Sequence, residues 1–493
     1  MGRRSTTVTA TPFIVSAMPD PIDDRAQLAE ALRLVEREAE KYLASVDSAL
    51  VRPPGAPSID GSLPMQGTGS LQALTELIAL TDEGATRSTG PRFFHFVMGG
   101  VTPAALGADW MTSTINQVAY NWVSSPLAAR LEQTTLAWMK ELFGVPREWS
   151  AAMTTAATTA NLVGLGSARR WWGLRHDVDI DQLGYAGLPA VPIFSSGYLH
   201  ASAIKALGML GLGRGRPEIL ARDAAGRLDV DALRKRLRAV DRAPAIVIAT
   251  AGDVNTGDFD PIADMAALTR AHGAWLHVDG AFGLYAALAP ATSHLVAGIE
   301  NADSIAVDGH KWLNAPYDTG FVFVRDAEMQ AGAFSAAAAY LGNEAQERPV
   351  FGNLAPEMSR RARALPVWAT LRAYGRDGYR AMIERHLGLA QRVAHQVDEA
   401  PDLERLAGAP LNVVCFRYRP VGVPEPELDD LNRRLGAMVL EDGRVYFGTT
   451  EYAGKVAFRP AIVNWRTTEP DVDLIVSVVR ELGARLLATA PGR

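Results

Sequence analysis

The stretch Asp303-Ser-Ile-Ala-Val-Asp-Gly-His-Lys-Trp-Leu-Asn314 decides the fold. Its first half is a short apolar run of the kind that forms a buried strand, and it ends in a polar turn carrying His310 and Lys311. A second such run, Trp275-Leu-His-Val-Asp-Gly-Ala-Phe-Gly283, ends at Asp279, 32 positions before Lys311. Outward from these two, segments 190–195, 245–250, 274–278, 304–307 and 320–324 read as strands. Between them, 229–240 (with Val230, Leu233, Leu237 and Val240 at helical spacing) and 260–271 read as helices. Strands alternating with helices predict an α/β fold with a mostly parallel sheet covered on both faces. Ligands of such sheets sit beyond the carboxyl ends of the strands, the position of both Asp279 and Lys311.

The chain has 493 residues, more than one simple core accommodates. The pattern divides it into an N-terminal arm with helices (1–95), a large domain (96–375) and a smaller C-terminal α+β domain (376–493). In the arm, 23–46 reads as an amphipathic helix with Leu28, Leu32, Val35, Tyr42 and Leu43 near one face. A Pro/Gly-rich connector follows over 51–69, then a short helix over 71–80. An arm of this kind packs on the main body or on a second subunit. In the C-terminal domain, helices are expected at 378–398 and 427–440 and strands at 413–418, 444–447 and 455–459. A last helix starts behind the capping box Thr468-Glu-Pro-Asp471.

Lys plus Arg number 49 and Asp plus Glu 55, a net charge of −6. This mild acidity argues against a nucleic-acid surface and suits an enzyme in solution. The single cysteine, Cys415, sits in the apolar run Leu411-Asn-Val-Val-Cys-Phe416 and reads as a buried strand residue, which fits a reducing compartment. No apolar run reaches the roughly 18 residues of a membrane span. The first 19 residues carry Arg3 and Arg4 and no acid, but no amphipathic pattern follows, so they read as an unstructured tail rather than a transit peptide. The cytoplasm is the expected location. None of the nine histidines stands in a zinc-protease pattern, and no metal site is expected. Gly211-Leu-Gly-Arg-Gly215 lacks the last glycine of a dinucleotide fingerprint and reads as a turn.

A lysine and an acid, each just past a buried strand, suit pyridoxal phosphate (PLP). The amine condenses with the aldehyde, and the carboxylate pairs with the pyridinium nitrogen and keeps the ring an electron sink. The segment 151–167, small and hydroxyl residues ahead of a helix, offers free N–H groups and hydroxyls to a phosphate; it also reads as an ordinary threonine N-cap. His200, in Phe194-Ser-Ser-Gly-Tyr-Leu-His-Ala-Ser202, either stacks on a cofactor ring or is a hydrogen-bonded core histidine.

Taken in order, these segments resemble the group II PLP-dependent amino acid decarboxylases, which include the aromatic amino acid and glutamate decarboxylases. The likeness runs from about Pro91 to Leu482, through Pro91-Arg-Phe-Phe-His-Phe96, Trp122-Val-Ser-Ser-Pro126, Leu131-Glu132 and Thr158-Thr-Ala-Asn-Leu162. It continues through His200, Asp279-Gly-Ala281, His310-Lys311-Trp312 and Arg360-Arg-Ala-Arg-Ala-Leu-Pro-Val-Trp368. The resemblance implies a fold-type-I PLP enzyme, usually a homodimer with shared active sites. It implies that Lys311 carries the cofactor, Asp279 binds its ring nitrogen, Ala281 packs under the ring and His200 over it. Ala157, Thr158 and the turn at Asp308 and His310 are implied to hold the phosphate. Tyr340, in Phe334-Ser-Ala-Ala-Ala-Ala-Tyr-Leu341, falls where the family keeps the tyrosine that protonates the carbanion; relatives with phenylalanine there tend to make aldehydes. Three departures stand out: Asp308-Gly309 where Asn-Pro or Ser-Pro is frequent, Val254 where aromatic decarboxylases have threonine, and Thr159 where glutamate is usual.

The expected activity is decarboxylation of an L-amino acid to its amine, with His200 and Tyr340 as candidates for returning the proton to Cα. The expected pocket is apolar and aromatic: Phe96, Val97, Met98 and Gly99, with Val118, Tyr120 and Trp122 from the same or a partner subunit. That lining favours an aromatic or bulky substrate, while Arg92 and His95 keep an acidic one open. The rivals are aldehyde formation or transamination on the same cofactor, and a homologue that binds PLP or a partner without turnover.

Overall fold

Two parallel strands, β5 (Trp275–Asp279) and β6 (Ser304–Asp308), lie side by side at the centre of a seven-stranded sheet, with Asp279 opposite Ala306. Every residue of both is buried, as expected of strands covered on two faces. The other strands are β1 (Ser150–Thr154), β2 (Ile193–Ser195), β3 (Glu218–Ile219), β4 (Ile246–Thr250) and β7 (Gly320–Val324). Their order is β1-β7-β6-β5-β4-β2-β3, and β7 runs antiparallel to both its neighbours while the remaining pairs are parallel. This computed structural model describes residues 20–59, 61–185, 187–240, 243–335, 348 and 350–489.

The chain divides into two compact units, 1–87 and 88–493. In the first, α1 (Leu28–Ser45) and α2 (Ser70–Gly84) are joined by Lys41, 3.5 Å from Asp82, and Arg87, past the end of α2, lies over the Tyr42 ring of α1. The helix expected from residue 23 opens with one 3-10 turn, Asp23–Gln27.

The second unit contains both sheets. Helices α3 (Pro103–Ile115) and α4 (Pro126–Phe143) start on capping hydroxyls, Thr102 and Ser125, each followed by Pro at N1. Helix α5 (Ala157–Leu174) presents Ala160, Gly164 and Ala168 to the interior, small residues that let it lie close on the sheet. The smaller sheet is antiparallel, ordered β10-β11-β9-β8: β8 (Leu403–Arg405), β9 (Phe416–Tyr418), β10 (Thr449–Tyr452) and β11 (Lys455–Phe458). It shares a core with the helices Glu425–Asp442 and Glu469–Ala488, including Leu435, Val439, Ile475 and Val479. The Thr468 capping box is present. The long helix Ala364–Glu399 is broken at Gly375, whose φ of +62° is a conformation glycine adopts without strain; we propose that this break marks the boundary expected at 375/376.

Two expectations need correction. Residues 150–154 form the edge strand β1, where only the approach to a helix was read. Residues 444–447 are not one of the strands: Tyr446 exchanges backbone hydrogen bonds with 92–94, and the strand begins at Thr449.

The outward edge of β1 is closed by side chains. The Met153 N–H donates to Glu132 (3.1 Å), the Met153 carbonyl accepts from Arg360 (2.8 Å), and the two side chains pair at 2.8 Å with 1% and 0% exposure. An unpaired strand edge is thereby satisfied inside the protein. Burial raises the Glu132 pKa and Arg360 opposes that shift. We predict that Arg360→Met, which strands a buried carboxylate, costs about 3–5 kcal/mol in denaturant unfolding, and that adding Glu132→Met recovers most of it. An Arg360→Met protein as stable as the parent contradicts this account.

Candidate active site

The site gathers at the carboxyl edge of the large sheet. β6 delivers Asp308, and the turn after it delivers His310 and Lys311. Asp308 is a hub: its Oδ1 accepts the N–H of Ala157, the first residue of α5, at 2.6 Å and lies 3.3 Å from His310 Nε2, while its Oδ2 pairs with Lys311 Nζ at 3.1 Å. The Lys311 ammonium also lies 5.6 Å from the centre of the Phe282 ring. His310 stacks on Tyr317 with centroids 4.1 Å apart, and burial lowers its pKa against the pull of Asp308. Gly309 leaves no room for a side chain, since a Cβ there would stand 2.4 Å from Thr319.

β5 delivers Asp279, which is 4% exposed. Its Oδ1 accepts from the Ala281 N–H (3.2 Å), and its Oδ2 accepts from Asn161 Nδ2 (2.8 Å) and, at 3.5 Å, Ser202 Oγ. The Ala281 carbonyl in turn accepts from the Asp308 N–H, which ties the two strand ends together. After β2, His200 caps the helix Ala201–Met209: its Nδ1 accepts from the Ser202 N–H and lies 2.8 Å from Ser202 Oγ. The ring keeps an edge open to solvent, yet the surrounding protein lowers its pKa through desolvation, with Asp279 pulling the other way.

A cation that sequence reasoning missed stands beside this group. Arg459 follows β11, and its guanidinium donates to the Val254 carbonyl at 3.2 Å. Among the described residues no carboxylate lies within ion-pairing distance of it. Its charge acts on both His200 and His95, and burial pushes His95 down to about 4. Nothing in the sequence near Arg459 separates it from a surface arginine; the fold brings it in from the small sheet.

Comparison with known proteins gives this arrangement its family. The profile of the pyridoxal-dependent decarboxylase conserved domain matches residues 57–419. The chain belongs to the pyridoxal-dependent decarboxylases. It is 29% identical to an aromatic-L-amino-acid decarboxylase of Bacillus atrophaeus, over 91% of this chain and 92% of that protein. It is 31% identical to an L-2,4-diaminobutyrate decarboxylase of Rhizobium meliloti, over 86% and 84%, and 26% identical to a phenylacetaldehyde synthase of Arabidopsis thaliana, over 84% and 86%. In fold it matches a crystal structure of Oryza sativa TDC with PLP and tryptamine, with a TM-score of 0.86 at 24% identity over 97% of this chain and all of the other.

This decarboxylase therefore uses PLP, and its residues fit that group. An amine and a buried carboxylate converge from neighbouring strands, and the first turn of α5 with Thr158 adds donors for an anion. The Asp308 carboxylate takes one of those donors, Ala157.

Of the pocket expected in this decarboxylase, Phe96 to Gly99 crosses the lysine turn. The Gly99 N–H donates to the His310 carbonyl (3.2 Å), and a Cβ on Gly99 would stand 2.0 Å from the Lys311 carbonyl oxygen. Phe96 and Val97 both have positive φ (56° and 58°), a strained pair of the sort found at functional sites; Phe96 is 58% exposed, while Val97 is wholly in the core. Val118 bridges Arg361, Tyr120 packs on Gly352, and Trp122 has the guanidiniums of Arg130 and Arg348 each 5.4 Å from its ring. Tyr340 lies outside the described residues.

Two buried histidines frame the lysine turn and Asp279. His386 accepts from the Trp312 indole at 2.8 Å, and His277 lies beneath Asp279 on β5. Burial holds them uncharged, down to about 3 and about 4. Both values are depressed below the ~6.5 of the unfolded chain, so their contribution to stability is complete above that pH and is lost as pH falls through 6.5 toward 4 and 3. We predict that the unfolding free energy, followed by denaturant titration between pH 7.5 and 5, falls with decreasing pH, and that His386→Gln removes about one proton from the slope. A slope unchanged by His386→Gln contradicts the assignment.

Proposed function

We propose that this protein decarboxylates an L-amino acid to the corresponding amine and CO2, with aromatic or bulky side chains preferred. The observation that carries the reading is the convergence of Lys311 and Asp279 from adjacent strand ends, within one hydrogen-bonded unit that includes Asp308, Ala281 and the start of α5. PLP, when bound, supplies the electron sink for the bond that breaks at Cα. In this reading Lys311 holds the cofactor by its aldehyde and Asp279 holds a proton on the ring nitrogen. Ala281, with no bulk beyond Cβ, would pack under the ring, and His200 would pack over it and exclude water. The N–H groups of the first turn of α5 beyond Ala157, whose own N–H goes to Asp308, together with Thr158 and the Asp308–His310 turn, would hold the phosphate. Phe96 and Met98 orient the substrate side chain, so that binding energy is used to position the scissile bond. Tyr340, with His200, delivers the proton that replaces the carboxylate at Cα.

The supporting relatives include an aromatic-L-amino-acid decarboxylase. Arg459 supports a second reading of the substrate: beside His200 and His95, with no carboxylate within ion-pairing distance among the described residues and only Asp253 acting on it from farther off, its guanidinium suits an acidic side chain. An acidic amino acid decarboxylase of Mus musculus is among the relatives, 27% identical.

We further propose a cytoplasmic homodimer. Trp110 and Met111 on α3, Val123 in the loop after it and Leu127 on α4 are apolar and 43–78% exposed, as residues that a second copy would cover are. Among the described residues no helix is long and apolar enough to cross a membrane.

The test is product analysis by mass spectrometry after incubating PLP-loaded protein with the common amino acids, DOPA, ornithine and diaminobutyrate. The reading predicts amines from aromatic substrates. Amines from aspartate or glutamate replace the preferred class with the acidic one, whereas aldehydes or keto acids overturn decarboxylation as the outcome, and no turnover supports a binding-only homologue. Tyr340→Phe is predicted to lower amine formation by about 10²-fold or more and to divert product to aldehyde; an unchanged amine yield removes Tyr340 from the mechanism.

A further inference from the structure

Asp279 is tied to the interior by a run of hydrogen bonds whose direction chemistry fixes at every step. Trp275, His277 and Asp279 alternate with Leu276 and Val278 along β5 and so share the sheet face on which α5 lies. The run begins at the Trp275 indole N–H, a donor only, which donates to Ser304 Oγ at 2.9 Å. Ser304 Oγ lies 2.8 Å from His277 Nδ1 and 3.5 Å from the Gly164 carbonyl; because Asp279 takes the Asn161 NH2 and so turns the Asn161 oxygen to Nε2, Nδ1 is the accepting nitrogen and the Ser304 proton goes to it. His277 is wholly buried and uncharged; with Nδ1 accepting, its proton is on Nε2, 2.8 Å from Asn161 Oδ1. An amide whose oxygen is engaged in this way presents its NH2 on the other side. There Asn161 Nδ2 meets Asp279 Oδ2 at 2.8 Å and Ser202 Oγ at 3.2 Å. Asn161, His277 and Ser304 are all fully buried. Gly164, one turn along α5 from Asn161, makes the space: a Cβ there would stand 2.7 Å from the imidazole.

We propose that His277 is a positioning residue for the cofactor's ring nitrogen: it locks the Asn161 amide with its N–H toward Asp279 and so sets the orientation of the carboxylate that faces the ring. The inference rests on the reading of Asp279 as the partner of that nitrogen. Without the imidazole the Asn161 oxygen is buried without its donor, and the amide is held only from the side of Asp279 and Ser202. It is then free to tilt away in search of another donor, and its hydrogen bond to Asp279 weakens. The loss falls on the contact to the ring nitrogen, while the contacts of Lys311 and the phosphate donors are unaffected.

A ratio of affinities isolates that contact. The apo-protein is titrated by equilibrium dialysis with PLP and with its carbocyclic analogue, in which carbon replaces the ring nitrogen. The parent protein is expected to prefer PLP. His277→Phe reduces the preference on the order of tenfold, the loss of one buried hydrogen bond to a charged group. His277→Gln, whose amide N–H reaches Asn161, restores most of it. Ser304→Ala removes the donor to Nδ1, admits the other tautomer and shifts the ratio the same way; it carries the test if His277→Phe does not fold, which the melting of the apo-protein reports. A parent that binds both compounds equally overturns the reading of Asp279. A parent that discriminates, with the ratio unchanged in folded His277→Phe or Ser304→Ala, overturns the role of His277 and leaves Asp279 in place.

Discussion

The molecule depends on two parallel strands that stop at the same edge of a sheet. Because β5 and β6 are hydrogen-bonded neighbours in parallel with Asp279 opposite Ala306, Asp308 emerges two residues beyond Asp279 at the same edge, and the Asp308 N–H to Ala281 carbonyl bond locks the two turns together. Lys311 then reaches back to the strand it has just left and pairs with Asp308. Nothing local in either turn would hold a lysine and two carboxylates in one buried place. The sheet does so because its backbone ladder is satisfied first and the side chains follow from the register.

The site is also dense in charge that is matched unevenly. Asp308 is shared among Lys311, His310 and the N–H at the start of α5, so the carboxylate stands at the end of the helix where an anion is favoured. Among the described residues Asp279 accepts from neutral donors, Asn161, Ser202 and the Ala281 N–H, and no cation lies within ion-pairing distance of it. One carboxylate is internally neutralised and the other is held open by dipoles. The distinction explains how two acids of the same kind, at the ends of adjacent strands, can have different tasks. Arg459 adds a cation from the smaller sheet, so both sheets contribute to the site.

Much of this was legible in the sequence where a short apolar run ended in a polar turn. The strands at 246–250, 275–279, 304–308 and 320–324 fall within a residue or so of their expected bounds, because full burial produces an unbroken apolar signal. β1 was missed because Ser150-Ala-Ala-Met-Thr154 is small and weakly apolar; it is an edge strand whose outer backbone is satisfied by Glu132 and Arg360, partners distant in sequence. The same reason hid the second layer of the site. His277 and Asn161 stood in quoted motifs, but 116 residues separate them, and only the packing of α5 on β5 shows that they touch. Val118, Tyr120 and Trp122 were expected to line a pocket from this subunit or a partner; their neighbours within the chain, Arg361, Gly352 and Arg348, are more than 200 residues away and could not be read from the sequence.

The central claim is that Lys311 is the amine that carries the cofactor. It is tested most directly by reducing PLP-loaded protein with borohydride, digesting it and mapping the pyridoxyl group by peptide mass spectrometry. The account predicts a single stable adduct on Lys311, absent from a Lys311→Ala protein. An adduct on another lysine, or none on protein whose PLP occupancy has been verified, would contradict it.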